Sequence, residues 1–481
     1  MLFNSLEFLV FLPIVFLLYW FVFRGRHWQN LLIVIASYVF YGCWDWRFLL
    51  LIAFTTLCSF GSGILIENYA DQRKKQKIVS ACNIIINLGI LCVFKYFNFF
   101  VENLEALLLS AFGYHLDRLT LDIILPVGIS FYTFQALSYS IDVYRGNIKA
   151  THDIVEFSAY ISFFPQLVAG PIERATNLLP QFQKKRQFDY AKAVDGSRQM
   201  LWGFLKKLVV ADNCAYVVNE YWGQYHELPG LTLLLLGVLF SFQIYCDFSG
   251  YSDIAIGCAR LFGINLMRNF NYPYFSRSIS EFWRRWHISL MTWFRDYVYF
   301  PLGGSRCAKW KIIRNIFIVW AISGLWHGAN WTFICWGLFH ATLLSGYVIL
   351  GLTTKYEHIV AHNRYIPNLK ELFQMSFTFL LVVIGWIIFR AESIAQAIDY
   401  LTAMVNNKFF DISGLAGGQC LLFGVLLLLV EWMQRNKQHA LQFPSSKPFC
   451  YKSVRWGIYY LIILLIDLFA GTTQTFIYFQ F

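Results

Sequence analysis

The sequence predicts an all-α polytopic integral membrane protein. Of its 481 residues, 58% are apolar and only 14% are charged, whereas about 25% charge is usual in soluble proteins. Apolar residues recur along the chain in near-continuous blocks, such as 7–23, 31–50, 229–245 and 372–390. Blocks of this length suit transmembrane helices and lack the alternation of a transmembrane β-barrel. We therefore expect roughly eleven membrane-spanning helices in one domain, 1–481.

The first block, 7–23, is predicted to be a retained helix, because it lacks the basic start and the small-residue cleavage site of a signal peptide. Arg24 and Arg26 follow this block, and the basic run 73–77 separates the third block from the fourth. The junction between the second and third blocks, 44–47, has a single basic residue. Because basic loops stay in the cytoplasm, the N-terminus is predicted to lie outside.

The next elements continue this alternation. Residues 78–98 are predicted to cross the membrane, 103–118 to form a more polar helix at the surface, and 122–144 to cross back. Further cytoplasmic regions are predicted at Arg145, Lys149, 174–186 and 435–455. Such loops, together with anionic lipid, explain the net charge of +11, so nucleic-acid binding is not indicated.

Residues 268–314 break the pattern, because basic and aromatic side chains are interleaved there. An arginine in the middle of a bilayer costs about 2.5 to 3.5 kcal/mol. Several together must therefore line a hydrated cavity or lie at the interface, which predicts re-entrant or interfacial helices. The basic members are Arg268, Arg277, Arg284, Arg285, Arg295, Arg306, Lys309, Lys311 and Arg314.

His327 is the first candidate for chemistry. It stands between Gly324 and Gly328 in an apolar stretch, 312–350, where an ionisable group is costly unless it is used. A neutral imidazole can remove a proton from a hydroxyl, and the glycines would let backbone or substrate approach it closely. The alternative is a buried histidine that is satisfied by a backbone carbonyl.

His287 is the second candidate, and it could orient a substrate or stabilise charge. Arg284, Arg285 and Arg306 could hold the phosphates of a coenzyme, since guanidinium groups suit phosphate oxygens. Further candidates for binding the substrate or donor are Arg295, Asp296, Trp326 and Asn330. The alternative is an interfacial helix that tryptophan and arginine residues anchor at the lipid headgroups.

Nearby acidic residues are assigned structural roles. Asp296 could pair with Arg295 or Arg285. Asp247 and Asp253 are six residues apart and would point to different faces of one helix. Capping at a helix break is therefore favoured over catalysis by Asp247. H-E-x-x-H does not occur, and His287, His327 and His340 are 40 and 13 residues apart without clustered acids, so a metal site is poorly supported. A serine hydrolase is not supported without G-x-S-x-G.

Several motifs, spaced along nearly the whole chain, resemble those of the membrane-bound O-acyltransferase (MBOAT) family, in particular its bacterial alginate O-acetyltransferase subfamily. The central motifs are Trp286–Leu290, Phe294–Tyr297, Pro301–Gly304 and Gly324–Trp331. Further matching segments are 126–135, 164–172, 245–253, 385–391 and 476–479.

The resemblance implies helices around a central tunnel, with His327 as the catalytic base at its constriction and His287 as an assisting second histidine. It implies no bound cofactor. Acetyl-CoA would be the donor on the cytoplasmic side, and a periplasmic or surface acyltransferase would pass the acetyl group to a polysaccharide. Trp326 and Asn330 would line the site, and Asn330 or a backbone N–H could stabilise the oxyanion. The location implied is the bacterial inner membrane.

Alternatives remain open. The acceptor could be an alginate-like exopolysaccharide or peptidoglycan, and a related subfamily transfers D-alanine to teichoic acid from a carrier-protein thioester. A transporter would use the buried histidine and arginines as a permeation path. A structural membrane subunit would tolerate loss of both histidines.

Overall fold

The computed structural model describes residues 1–114, 121, 124–168, 170–352, 356, 358–411, 417–443, 448–449, 451–472 and 474–479. In these ranges the regular structure is helical, without β-strands, which confirms the all-α prediction. Part of the predicted surface piece 103–118, the start of 122–144, Ala169 and part of the loop 435–455 lie outside the described residues.

The first of two compact units comprises residues 1–193 and 258–266. Its helices are α1 (Leu6–Leu17), α2 (Arg26–Gly42), α3 (Leu49–Asn68), α4 (Arg73–Leu91), α5 (Phe97–Phe112), α6 (Ile129–Arg145), α7 (Ile154–Ser162), α8 (Phe164–Leu167) and α9 (Ala175–Phe182). Helix α3 packs against α4, and both pack against α6.

The second unit comprises residues 194–257 and 267–481. It contains most of α10 (Tyr190–Phe204) and α12 (Gly230–Leu261), together with α11 (Asp212–Tyr221), α13 (Ile279–Arg285), α14 (Ile288–Phe294), α15 (Lys309–His327), α16 (Trp331–Ile349), α17 (Leu369–Arg390), α18 (Ile394–Asn406), α19 (Gly418–Met433) and α20 (Lys452–Phe469). Two π-helical segments, Leu205–Ala211 and Arg295–Tyr299, also belong to it.

Among the described residues, five helical stretches are long and apolar enough to cross a membrane. They are Trp46–Asn68, Arg73–Phe112, Gly230–Leu261, Trp331–Ile349 and Leu369–Arg390, and the shorter stretches Leu6–Val22 and Gly418–Met433 are also apolar. Other helices are shorter, as α2 is, or carry several charges, as α15 does. The number of roughly eleven crossings stays a prediction.

The predicted break between 78–98 and 103–118 is absent. Helix α4 continues through a π-helical segment, Cys92–Tyr96, into α5, because no glycine or proline interrupts residues 92–112. Gly113, with φ at 64°, ends the helix in the left-handed conformation. Helix α6 begins at Ile129 after left-handed Gly128, later than the predicted start at residue 122.

The predicted helix break near Asp247 is wrong. Helix α12 runs without interruption from Gly230 to Leu261, so neither Asp247 nor Asp253 caps a helix. Each carboxylate instead binds a lysine of the π-helical segment Leu205–Ala211.

Candidate active site

His327 is the last residue of α15, and only 6% of its surface is exposed. The helix ends there because Gly328 adopts an extended backbone, with φ at −171°. Asn330 then caps α16, since its side chain accepts a hydrogen bond of 3.0 Å from the Thr332 backbone N–H. A short turn between two helices therefore fixes His327 at the junction of α15 and α16.

Glycines let α15 and α16 pack closely at this junction. A Cβ atom at Gly324 would overlap the carbonyl oxygen of Phe333, and one at Gly328 would overlap the Phe333 ring. The close approach expected around the histidine is therefore present. It is made by α16, so these glycines serve helix packing rather than an open path for substrate.

Aromatic rings enclose the His327 imidazole. The ring centroids of Trp326 and Trp336 each lie 5.0 Å from that of His327, and the Phe389 centroid lies 5.2 Å away. Trp336 and Phe389 also contact each other at 5.2 Å. His327 is thus buried among apolar and aromatic side chains, of which Trp326 is one.

His287 lies between α13 and α14 and is 1% exposed. Its backbone is left-handed, with φ at 44° and ψ at 51°. The segment that begins at Asn269 runs alongside it, because the Asn271 N–H donates to the Arg285 carbonyl and the Ile288 N–H donates to the Asn269 carbonyl, each at 2.9 Å. This pairing brings the Asn269 side chain next to the imidazole.

The Asn269 amide determines which nitrogen of His287 carries the proton. Its Oδ1 accepts hydrogen bonds from the Ser289 N–H at 3.3 Å and the Ser289 hydroxyl at 2.9 Å. A backbone N–H can only donate, so the amide atom that faces Ser289 is the oxygen. Nδ1 of His287, 3.1 Å from the same oxygen, must then be the donor. Nε2 of the neutral ring is an acceptor, and no described residue hydrogen-bonds to it.

Burial also keeps the His287 ring neutral. It lowers the pKa of His287 from 6.5 to about 3, because an apolar environment disfavours the charged imidazolium. Part of that environment is the ring of Phe248, whose centroid is 4.7 Å away. His287 lies outside the five long apolar helices, and at neutral pH it can accept a hydrogen bond.

Tyr478 joins the surroundings of both histidines. Its ring centroid is 5.8 Å from that of His327 and 6.2 Å from that of His287. Trp326 contacts the same two rings, at 5.0 Å and 6.0 Å. The structure therefore brings three of the predicted site residues together, His287, His327 and Trp326.

Sequence reasoning did not assign Tyr478 or Asn269 to the site. The segment 476–479 appeared only as a motif, and its aromatic composition is equally typical of a membrane interface. Asn269 sits 18 residues before His287, with no periodicity that connects them. Only the folded chain places these side chains beside the histidines.

The arginines proposed for coenzyme binding differ in availability. Arg285 is buried, and its guanidinium binds the Glu281 carboxylate at 2.7 Å. Burial alone would raise the pKa of Glu281, but hydrogen bonds from Arg277 and the charge of Arg285 hold it below its ordinary value. Arg285 is thus engaged in an internal ion pair of α13.

The other candidates are exposed. Arg295 pairs with Asp296 at 2.7 Å, which is one of the two pairings predicted for this carboxylate. Arg284 donates to the carbonyl and hydroxyl of Ser280 on its own helix. Arg306 is exposed and makes no side-chain hydrogen bond or ion pair with any described residue. The side chains of Arg284 and Arg306 are both exposed.

Asn330 serves the helix junction. Besides capping α16, its Nδ2 donates to the Glu392 carbonyl at 2.9 Å. These contacts engage the amide oxygen and one of the two N–H donors, so the helix junction holds the Asn330 side chain in place. In the described part of the chain, no three histidine, cysteine or acidic side chains lie close enough to hold a metal ion.

Comparison with known proteins relates the chain to membrane enzymes. The model of the membrane-bound O-acyltransferase family (MBOAT) matches residues 146–389. Probable alginate O-acetylase AlgI of Pseudomonas putida is 40% identical over 434 residues, which cover 90% of this chain and 86% of that protein. The protein of the same name from Pseudomonas aeruginosa is 41% identical, with 86% and 77% covered. A peptidoglycan O-acetyltransferase of Helicobacter pylori is 29% identical, with 100% and 98% covered.

Proposed function

Since the chain belongs to the membrane-bound O-acyltransferase family, we propose that it takes an acetyl group from a cytoplasmic donor and passes it across the inner membrane for O-acetylation of a polysaccharide. The protein is a multi-pass membrane acyltransferase. The polysaccharide is an alginate-like exopolysaccharide or peptidoglycan, as the names of the relatives suggest. A periplasmic partner completes the transfer.

The observation that carries this proposal is the pair of buried histidines that share the rings of Trp326 and Tyr478. Acyl transfer to a hydroxyl needs a base beside a water-poor reaction centre. His327 is assigned as this base, because aromatic rings surround it and α15 and α16 hold it at their junction.

In the proposed reaction, the His327 imidazole takes the proton of the acceptor hydroxyl while the hydroxyl oxygen attacks the thioester carbonyl carbon. The carbon–sulfur bond then breaks, and the imidazolium returns a proton to the leaving thiolate. General base catalysis of this kind contributes about 10² to 10⁴ in rate.

His287 is assigned an assisting role. Its Nδ1 proton is engaged by Asn269, so the opposite nitrogen presents a lone pair. That nitrogen can accept a hydrogen bond from the donor or the acceptor and so orient it at the reaction centre.

Acetyl-CoA is the proposed donor, and no bound cofactor is required. Arg284 and Arg306 are the arginines that support this choice, because both are exposed to an anionic ligand. Arg285 is assigned to the fold, since Glu281 binds it.

The proposed membrane orientation places the N-terminus outside. A single cysteine introduced at Lys75, in a background without the native cysteines, should react with a membrane-impermeant maleimide only after the cells are opened. Labelling in intact cells would contradict this assignment and place the N-terminus in the cytoplasm.

The test of function compares the purified protein with His327→Ala, each supplied with radiolabelled acetyl-CoA. Label transfer or thioester hydrolysis should depend on His327, and His362→Gln, which changes an exposed histidine, should behave like the unchanged protein. If His327→Ala folds normally and keeps full turnover, the catalytic assignment is wrong. A carrier-protein donor or a transporter is indicated if no form turns over acetyl-CoA, and thioester-carrier and flux assays distinguish these two.

A further inference from the structure

The side chains of Lys207 and Asp247, both buried, help fasten the segment 474–478, which contains Tyr478, to the second unit. The Lys207 ammonium donates to the Gln474 carbonyl at 3.2 Å. The Asp247 Oδ2 accepts a hydrogen bond of 2.7 Å from the Ile477 backbone N–H. Both contacts are made to the backbone, so they fix the path of the segment independently of its side chains.

Lys207 and Asp247 also bind each other, with 2.8 Å between Nζ and Oδ1. Lys207 further contacts Asp212 Oδ1 at 2.8 Å, and the side chains of all three are at most 4% exposed. The lysine therefore orients Asp247 so that one carboxylate oxygen faces the ammonium and the other faces Ile477. Buried ions are costly unless paired in this way.

The fastened segment packs directly against the residues around the histidines. Phe476 contacts Tyr251 at 4.4 Å, and Tyr478 contacts Phe248 at 4.5 Å. Phe248 follows Asp247 in α12 and itself touches His287. The hydrogen bond between Asp247 and Ile477 thus sets the distance between Tyr478 and the two imidazole rings.

We propose that Lys207 and Asp247 are positioning residues that hold segment 474–478 as one wall of the acyl-transfer site. This inference rests on the proposed function only for its effect on turnover. Neither residue touches substrate; both act through the backbone of the segment and thereby through Tyr478. Loss of the fastening should impair the reaction step more than donor binding, because a displacement of about 1 Å near the chemistry can lower the rate about 10²-fold.

Lys206 and Asp253 provide a matched control. They come from the same π-helical segment and from α12, they form an ion pair of 2.5 Å, and their side chains are 4% and 15% exposed. Lys206 donates a hydrogen bond to Ser249, and Asp253 accepts one from Gln199, so both partners lie outside segment 474–478. A general effect of removing a buried lysine from this region should therefore be seen in Lys206→Met as well.

The experiment measures hydrogen exchange of the peptide covering 474–478 in the purified full-length protein, together with kcat and KM for acetyl-CoA. In Lys207→Met and Asp247→Leu, which lack the ammonium and the acceptor oxygen respectively, we expect about tenfold or faster exchange of this peptide and a lower kcat with unchanged KM. Lys206→Met should keep the protection of the segment. The proposal is overturned if the segment stays protected in both variants, or if Lys206→Met exposes it equally.

Ile477→Pro removes the amide donor and leaves the ion pairs in place, so it tests the fastening if the charge variants fail to fold. We expect it to lower kcat as Lys207→Met does, and an unchanged kcat would refute the positioning role. If the unchanged protein has no acyl-transfer activity, the proposed function fails. The exchange measurement then still decides whether Lys207 and Asp247 hold the segment.

Discussion

Asn269 binds His287 through a hydrogen bond of 3.1 Å between Oδ1 and Nδ1. The amide oxygen also accepts hydrogen bonds from the Ser289 N–H and hydroxyl. It is therefore the acceptor in the bond to His287, and the ring nitrogen Nδ1 is the donor. One side chain remote in sequence thereby fixes the tautomer of a histidine in the candidate site, as hydrogen-bond partners of catalytic histidines commonly do.

Asn269→Ala should lower turnover strongly, because His287 loses the acceptor that fixes its tautomer and orientation. We expect a loss of about 10²-fold, the scale of a mispositioned group at a reaction centre. Asn269→Asp preserves an acceptor for Nδ1 and for Ser289, so it should retain most of the activity. Acetyl-CoA turnover of the three proteins measures this, and equal losses in both variants would contradict the tautomer argument.

Gly324→Ala should separate α15 from α16, because the added Cβ would overlap the Phe333 carbonyl oxygen. We expect a destabilisation of about 1 to 3 kcal/mol, as is usual for overpacking, and reduced turnover through displacement of His327. Gly346→Ala is the control on α16, since its Cβ would meet nothing within 4 Å. Thermal unfolding in detergent distinguishes the two, and a Gly324→Ala protein as stable as the control would refute the close-packing argument.

Arg306→Gln should raise the KM for acetyl-CoA and leave kcat and stability nearly unchanged, because this exposed guanidinium has no described partner to lose. Arg285→Gln should instead lower the melting temperature, because Glu281 loses a buried ion-pair partner. Breaking a buried pair costs up to about 3–5 kcal/mol, and Arg277 still compensates Glu281 in part. Kinetics and thermal unfolding of both variants provide the measurement. Equal destabilisation would favour an anchoring role for Arg306.

Acidification should destabilise the protein partly through His287. Its pKa is about 3 in the folded chain and 6.5 ordinarily. Between these values the unfolded chain binds a proton that the folded chain excludes, so stability falls as pH decreases below about 6.5 and is unaffected by this group above it. Melting temperatures at pH 7.5 and 5.0 should therefore differ less in His287→Gln than in the unchanged protein or in His362→Gln. The same difference in all three would contradict the buried neutral state of His287.

The sequence predicted what local pattern can encode. Apolar blocks indicated membrane helices, and His327 was recognisable because an ionisable group is rare in an apolar stretch. His287 was recognisable only within a motif that resembles those of a known family. Local pattern does not show which residues far apart in sequence contact each other. Lys207 and Gln474 are 267 residues apart, and Asp247 and Ile477 are 230 apart. Asp247 was misassigned as a helix cap, because the lysine that pairs with it lies in another helix and is not evident from the local sequence. With its charge paired, Asp247 lies within the uninterrupted helix α12.

The left-handed backbone of His287 implies a trade-off between thermal stability and activity. For most residues other than glycine, this conformation costs about 1–2 kcal/mol, and histidine tolerates it better than most. Asparagine at position 287 would relieve part of this strain and would lack the imidazole. Selection for heat resistance alone should therefore favour glycine or asparagine at this position, and the imidazole proposed to assist the transfer would be lost.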